Sequence, residues 1–373
     1  MKGKNIYFIS GGGTGGHIYP AVTIVDKLLT DDETKKIFYI GNPKNLEFEI
    51  TKGFNDVTFL PVNITGMPRK LSIGFIIWLF KLFCALAVCI YYILKYKPSA
   101  IFTTGGYVSA PVVISAMILN KPYMIHDCDS VPGLVSKLAA PKAKIVSVAF
   151  ENSRKFLISK NIIFNGNPIR EVFFKTDKTT AREKLNIDEG KKVIFAMGGS
   201  QGAKTINNAM LEILENLSSN NENYIIVQTG NKNYDEFISK LNEIYPEHKD
   251  KKNILIKPYF NDMVYPLKAA DLVISRAGSL SLSEIIQCHC ASILIPYPFA
   301  AQNHQKKNAQ ELCEKGCSIC MEDKDCTGAN LLNNINNIIH NESVLRDMTE
   351  KAINISKDNS SEKIVNQLKS IIK

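Results

Sequence analysis

The sequence predicts an α/β protein of two Rossmann-like domains, each a doubly wound parallel sheet. Three observations predict it. Short apolar runs alternate with helical stretches almost throughout, which is the pattern of a parallel sheet covered on both faces. The alternation occurs twice, on either side of a break rich in Gly, Asn and Pro. In each half the first apolar run leads directly into a glycine-rich turn, GGGTGGH at 11–17 and GGSQGA at 198–203. A chain of 373 residues, 45% hydrophobic and 22% charged, is long enough for two cores of ordinary size.

In the first half the strand candidates are NIYFIS, KIFYIG, VTFLPV, AIFTT, PYMIHD and KIVSVA; in the second they are KVIFAMG, YIIVQTG, ILIKPY, DLVIS and ASILIPY. The break is IIFNGNPIR, 162–170, where Pro168 and the Gly/Asn cluster stop any regular element. These landmarks divide the chain into domains 1–165 and 166–355 and a charged amphipathic tail, 356–373, expected as a last helix packing back on the body.

Gly11, Gly13 and Gly16 satisfy G-x-G-x-x-G, the form of a dinucleotide-binding turn. The second strand, KIFYIGN, ends in Gly41 and Asn42 where that fold places a ribose-binding acid, so a dehydrogenase is disfavoured. No Lys-Ser or Lys-Thr follows the glycines, which excludes a triphosphate P-loop. What remains is a loop opening a helix, with backbone N–H groups free to meet a polar or anionic group. A third such turn, TGGYVSAP at 104–111, follows another strand. Ligands of doubly wound sheets bind at the carboxyl ends of the strands, so all three turns are expected to line one cleft between the domains. Glycines serving only tight backbone packing are the alternative.

Charge is unevenly spread. Residues 1–165 hold 19 Lys+Arg against 10 Asp+Glu, whereas 166–373 hold 26 of each, so the whole net charge of +9 lies in the first half. A basic half suits an anionic partner such as a membrane surface. No recognition motif or basic helix accompanies it, so no nucleic-acid partner is expected. MKGKNIYF runs directly into core sequence, so no signal peptide is expected, and the nine scattered cysteines are expected to be reduced thiols. The spacing of Cys313, Cys317, Cys320 and Cys326 does not match a two-pair zinc pattern, and no metal site is expected there.

Leu71 to Tyr96 reads LSIGFIIWLFKLFCALAVCIYYILKY. Lys81 interrupts it, and the uncharged run from Leu82 to Leu94 is shorter than the roughly 20 residues of a membrane span. A crossover helix is expected, partly covering the sheet and partly exposed. Arg69, Lys70, Lys81, Lys95 and Lys97 with Phe75 and Trp78 would hold it on an anionic lipid surface.

Taken together, GGTGGHIYPA at 12–21, TTGGYVSAP at 103–111, GNPIR at 166–170, GGSQGA at 198–203, SRAGSLSLSEI at 275–285 and IPYPFAAQNHQKKNA at 295–309 resemble the MurG family of glycosyltransferases. The likeness runs in order over nearly the whole chain. It implies a GT-B fold, two Rossmann-like domains with a cleft between them, peripheral to the cytoplasmic face of the cell membrane. It implies inverting transfer of N-acetylglucosamine from UDP-N-acetylglucosamine to the C4 hydroxyl of the N-acetylmuramoyl group of lipid I, giving lipid II. The implied partners are those two substrates, anionic membrane lipids, and cell-wall or division proteins.

The resemblance also assigns residues. Ser200, Gln201 and Gly202 would meet the donor diphosphate, with Arg170 as a fixed cation suited to phosphate. Glu284 would accept from ribose hydroxyls, Ser279 would meet phosphate, Phe260 would present backbone to uracil, and Gln305 would contact the donor sugar. Thr14, Gly15 and Gly16 would approach the donor sugar, while Gly105, Gly106 and Tyr107 would face the acceptor.

His17 is the expected base, because imidazole titrates near working pH and can take the proton of the attacking hydroxyl. The family pattern carries Asn where HDCDSVPG has Asp129, so Asp129 is a second candidate, for the base or for the acceptor sugar. His126 and Asp127 read as caps of the strand end. No Asp-x-Asp pair is read in a loop position that would carry a divalent metal on the donor diphosphate, so no metal or other cofactor is expected.

The competing enzymes are a diacylglycerol glycosyltransferase and a UDP-sugar epimerase, the latter having no use for a basic apolar patch. A non-catalytic UDP-sugar or membrane-binding module is the competing class.

Overall fold

The computed structural model describes residues 4–372 except 69, 71, 200 and 358. It divides the chain into two compact units, Met1–Ile169 with Lys357–Lys373, and Arg170–Ser356.

The first unit is built on seven strands in the order β3-β2-β1-β4-β5-β6-β7. They are β1 Asn5–Ser10, β2 Thr34–Gly41, β3 Val57–Pro61, β4 Ala100–Thr103, β5 Tyr123–Asp127, β6 Ile145–Val148 and β7 Ile162–Phe164. Every pairing is parallel, which explains why the strands read as nearly continuous apolar runs: helices bury both faces. Its helices are α1 Gly15–Leu29, α2 Leu46–Thr51, α3 Ile73–Tyr96, α4 Ser109–Ile118 and α5 Leu134–Ala139.

On one face Ile18, Ile24 and Leu28 of α1 pack with Ile364 and Leu368 of the C-terminal helix Ser360–Ser370. Lys369 of that helix pairs with Asp31 at 2.8 Å. On the other face lie Ala85, Cys89 and Ile93 of α3, Val112 and Ala116 of α4, and Ala139 of α5.

One sequence expectation changes here. Residues 162–164, read as part of the linker, form β7, with Val146 opposite Ile162 and Val148 opposite Phe164. Three apolar residues ahead of Asn-Gly-Asn-Pro are too few to show a period, and only pairing with β6 makes them a strand. Helix α3 is the expected crossover helix, partly covering the sheet and partly exposed. Of its 24 residues only Ala85, Cys89 and Ile93 are buried, a four-residue spacing that places them on one face.

By length and composition α3 could cross a membrane, with a mean hydropathy of 2.5 over a window that is 11% buried. It nevertheless joins β3 to β4 of one sheet and packs on that sheet, so it lies along the unit. Its outward apolar residues include Ile73, Ile76, Ile77, Leu79, Phe80 and Phe83. Phe75 and Trp78 are half-buried, because their rings stack at 5.8 Å and the Trp78 indole N–H donates to the Thr65 carbonyl at 2.9 Å. Lys70, Lys81, Lys95 and Lys97 are exposed as expected, whereas Arg69 lies outside the described residues.

The second unit carries six parallel strands in the order β10-β9-β8-β11-β12-β13. They are β8 Lys192–Met197, β9 Asn223–Gln228, β10 Ile254–Lys257, β11 Leu272–Ser275, β12 Ala291–Leu294 and β13 Ser318–Cys320, the last an edge strand that the sequence did not reveal. Its helices are α6 Val172–Lys175, α7 Lys178–Lys184, α8 Lys204–Ser219, α9 Tyr234–Ile244, α10 Val264–Ala269, α11 Ser279–Gln287, α12 His304–Glu314, α13 Gly328–Ile339 and α14 Glu342–Ile355.

Ile194, Ile225, Leu272 and Ile293 of the sheet meet Met210, Leu214, Leu331 and Ile335 of α8 and α13 in one core. Cys313 at the end of α12 and Cys320 of β13 are joined by a disulfide, Cα to Cα 6.2 Å. This corrects the expectation of thiols throughout. Pairing of β13 beside β12 brings the end of α12 against it, a closeness that the seven-residue separation alone did not declare.

Candidate active site

Each unit carries its cluster at the point where strand order reverses. In the first sheet this is between β1 and β4, neighbours with Ser10 opposite Thr103. The turns 11–16 and 104–108 leave the carboxyl ends of these two strands side by side, the place where open α/β sheets bind ligands. Thr104 donates from Oγ1 to the His17 carbonyl at 2.6 Å, and the Thr104 N–H donates to the Ser10 carbonyl at 3.1 Å. Gly106 shows why this closeness needs glycine. Its φ is +78°, and a Cβ there would stand 2.1 Å from the Gly12 carbonyl oxygen and 3.3 Å from His17 Cδ2.

Thr14 is the N-cap of α1, Gly15 and Gly16 open the helix, and the His17 N–H donates to the Thr14 carbonyl at 3.1 Å. The His17 ring therefore lies over Gly105 and Gly106, half-buried, with Nδ1 enclosed and meeting no hydrogen-bond partner among the described residues. Tyr107 is fixed by Asn45, whose Nδ2 donates to its hydroxyl at 2.8 Å. Asn45 also donates to Glu47 Oε1 at 3.2 Å, and that fully buried carboxylate accepts the Asn42 N–H at 3.1 Å. Sequence reasoning missed Glu47. Its signal was an acid in the first turn of a short helix, which marks an ordinary surface position as often as a buried one.

The end of β5 brings the remaining groups. His126 is fully buried: Nδ1 meets Ser147 Oγ at 2.8 Å and Nε2 meets Asn167 Oδ1 at 3.0 Å. Burial pushes its pKa down to about 4, against the bond to Asn167, so it stays neutral and ties β5 to β6.

Asp127 does more than cap the strand. Its Oδ1 accepts the Asp129 N–H at 3.2 Å, its Oδ2 accepts the Gly133 N–H at 3.3 Å, and it is hydrogen-bonded to Ser136. Burial raises it to about 6; Ser136 lowers it, Asp129 adds to the rise, and His17 lowers it further, so it lies within the electrostatic reach of both proposed catalytic residues. Asp129 itself is half-buried. A signal for Asp127 existed in its two-residue spacing from Asp129, because alternate residues of an extended segment share a face.

In the second sheet the reversal lies between β8 and β11. The turn 198–202 follows β8, and α8 begins at Lys204 with no side chain capping its first N–H groups. Such a helix start is an anion site in waiting. Gln201 is exposed and Gly202 half-buried; a Cβ on Gly202 would stand 2.1 Å from the Thr229 carbonyl oxygen. Ser200 lies outside the described residues.

Gln228, at the end of β9 and fully buried, was also missed. Its Nε2 donates to the Gly199 carbonyl at 3.4 Å and its Oε1 accepts the Phe260 N–H at 2.9 Å, joining the glycine turn to the loop after β10. That internal bond takes the Phe260 N–H, while the Phe260 ring packs edge-on against Phe195 at 5.9 Å.

Ser279 opens α11, and Glu284 lies on the same helix, buried, with Oε1 3.8 Å from Arg170 Nη2. Burial raises the Glu284 carboxyl to about 7 and Arg170 restrains the rise. The Arg170 guanidinium also stands 5.3 Å from the Phe173 ring centre. Gln305, in the first turn of α12, accepts the Tyr297 N–H at 2.9 Å. Thus the structure joins Arg170 with Glu284, and Phe260 with the glycine turn through Gln228.

Two Asp-x-Asp triplets do occur, at 127–129 and 323–325. Asp127 is engaged as described and Asp323 is paired with Arg276. Among the described residues no group of three or more His, Cys, Asp or Glu is placed to hold a metal ion.

Comparison with known proteins matches residues 7–148 to the glycosyltransferase family 28 N-terminal domain and residues 193–368 to the glycosyltransferase family 28 C-terminal domain. A UDP-N-acetylglucosamine–N-acetylmuramyl-(pentapeptide) pyrophosphoryl-undecaprenol N-acetylglucosamine transferase of Caldanaerobacter subterraneus subsp. tengcongensis is 37% identical over 98% of this chain and 99% of its own. The transferase of the same name from Desulforamulus reducens is 34% identical over 98% of both. Among solved structures, MurG of Acinetobacter baumannii superposes with a TM-score of 0.77 at 26% identity, covering 98% of this chain and 99% of that one. A UDP-GlcNAc 2-epimerase from Neisseria meningitidis reaches a TM-score of 0.69 at 12% identity, over 98% of this chain and all of its own, a likeness of fold alone.

Proposed function

Because the chain belongs to glycosyltransferase family 28, with both of its domains, we propose that the second unit holds the donor and the first the acceptor. The reaction is transfer of N-acetylglucosamine from UDP-N-acetylglucosamine to the C4 hydroxyl of the N-acetylmuramoyl group of lipid I, with inversion, giving lipid II.

In the donor unit Ser200, Gln201 and Gly202 and the uncapped start of α8 meet the diphosphate, with Arg170 as the fixed cation. Glu284 accepts from ribose, Ser279 meets phosphate, Phe260 presents its backbone to uracil, and Gln305 reaches the donor sugar. In the acceptor unit Gly105, Gly106, Tyr107 and Asp129 hold the muramoyl group, while Thr14, Gly15 and Gly16 approach the sugar being moved.

His17 takes the proton of the C4 hydroxyl as its oxygen attacks the anomeric carbon and UDP departs. Helix N–H groups and Arg170 meet the charge of the leaving diphosphate, so turnover needs no metal or other cofactor. The apolar outer face of α3, rimmed by Lys70, Lys81, Lys95 and Lys97, lies on the anionic lipid of the cytoplasmic face, where a polyprenyl-bound acceptor resides.

One observation carries the catalytic reading: His17 stands at the strand-order reversal, on the first turn of α1, with its ring over Gly105 and Gly106 and Asp127 in electrostatic reach. The test is transfer of labelled N-acetylglucosamine to a short-chain lipid I analogue, with diacylglycerol as control acceptor and EDTA in a parallel reaction. Transfer to the muramoyl acceptor alone, at a rate unchanged by EDTA, is expected. Transfer to diacylglycerol alone would remove the acceptor assignment, and loss in EDTA restored by Mg²⁺ would remove the metal-free step.

A further inference from the structure

A buried polar atom needs a partner, and His17 Nδ1 has none among the described residues. A base also needs a fixed tautomer, which a group holding its second nitrogen ordinarily supplies. A candidate stands across Gly105. The point where a Cβ of residue 105 would lie is 3.8 Å from His17 Nδ1, 3.7 Å from His17 Cε1 and 3.7 Å from Ser136 Oγ. The imidazole edge and the serine hydroxyl thus both lie beside Gly105, and a water between them would give Nδ1 its partner.

Ser136 is 1% exposed and hydrogen-bonded to Asp127, and two backbone N–H groups hold that carboxylate in turn. Three elements thus converge at Gly105: α1 with His17, the turn after β4 with Gly105 itself, and α5 with Ser136.

We propose that Ser136, backed by Asp127, is the positioning residue for His17: across the gap at Gly105, through one bridging water, its hydroxyl holds the Nδ1 proton in place, fixing the tautomer that leaves Nε2 as the base. This rests on His17 being the base. During transfer the C4 hydroxyl proton passes to Nε2, and the oxygen's electron pair forms the bond to the anomeric carbon. The bond from that carbon to the UDP oxygen breaks with its pair going to UDP. The imidazolium keeps its Nδ1 proton, hydrogen-bonded to that water, which donates to Ser136, whose own proton is donated to Asp127. Asp127 stabilises the new charge without taking a proton. Asp129, which couples to Asp127, and His126, neutral above about pH 4, are the other titratable groups in this field.

The experiment uses full-length protein labelled with [15N]histidine, the His17 signal being assigned by its loss in His17→Ala. Long-range 15N–1H correlation reads the tautomer without any turnover. The expected result is an Nδ1–H ring in the wild type that shifts toward Nε2–H in Ser136→Ala. The expected kinetic companion is a fall in kcat of roughly 10- to 100-fold with KM for UDP-N-acetylglucosamine within about twofold.

If Ser136→Ala does not fold, Asp127→Asn decides: loss of the negative charge is expected to move the acid limb of the kcat profile to lower pH. An unchanged tautomer in folded Ser136→Ala, or an unmoved acid limb in Asp127→Asn, overturns the proposal. Near-normal turnover of His17→Ala would instead remove the base reading, while the tautomer measurement still reports separately on the contact.

Discussion

Arg170 Nη2 stands 3.8 Å from Glu284 Oε1, and the carboxyl is set by this guanidinium working against burial. Burial is the larger effect and carries Glu284 from 4.5 up to about 7. Between those values the folded protein keeps a proton that the unfolded chain has lost. The stabilising contribution of this carboxyl is therefore full below about pH 4.5 and is lost as pH rises through about 7. Glu284→Gln has no proton to lose. Its unfolding free energy relative to wild type should rise across that window and level off above it. Denaturant titrations at a series of pH values read the difference, and a flat line would place Glu284 in contact with solvent.

His17 is the residue whose loss should separate chemistry from binding. His17→Ala removes the base from the acceptor unit and leaves every donor contact in place. Turnover should fall by more than about 100-fold while UDP affinity, measured by calorimetry, stays within about twofold. Turnover near wild type would pass the proton to another group, with Asp129 the next to test.

Much of this was legible in the sequence because it depends on backbone. Parallel strands buried on both faces read as apolar runs, and glycines marked the turns where two main chains meet, as Gly106 and Gly12 do. His17 was legible from its place just past the first turn. Groups brought in by tertiary pairing were less so. Gln228 matters because β9 ends beside both Gly199 and Phe260, Ser136 because α5 returns over Gly105, and β7 exists only through β6. None of these has a local pattern, since the partner lies tens of residues away. For α3 the apolar character was plain, but which aromatics are most exposed depended on the Thr65 carbonyl and the Phe75 stack that hold Trp78 half-buried.

That orientation makes membrane binding testable by position. Phe80 and Phe83 are 69% and 70% exposed, so replacing both by Ser should leave thermal stability nearly unchanged. Burying one Phe side chain in an apolar medium yields about 1.5–3 kcal/mol, so flotation with anionic vesicles should weaken by roughly tenfold or more for each ring that inserts. Trp78→Ser should do the reverse, lowering the melting temperature through the lost indole bond and Phe75 stack while retaining more of the vesicle affinity. Equal loss of vesicle binding in both variants would reject the assignment of faces.

The close approach of the two glycine turns of the first unit can be measured against an internal control. Gly106 and Gly190 have nearly the same φ, +78° and +82°, but very different surroundings. A Cβ at 106 would meet the Gly12 carbonyl oxygen at 2.1 Å, whereas one at 190 would have nothing within 4 Å. Both alanine variants carry the left-handed penalty of about 1–2 kcal/mol. Only Gly106→Ala must also push a backbone aside, adding on the order of 1–3 kcal/mol. It should therefore melt below Gly190→Ala, and because the displaced carbonyl belongs to the turn that carries His17, its kcat should fall as well. Gly190→Ala should keep wild-type turnover. If the two variants melted together with equal activity, the turns would not be in contact and the placement of His17 over Gly106 would be lost.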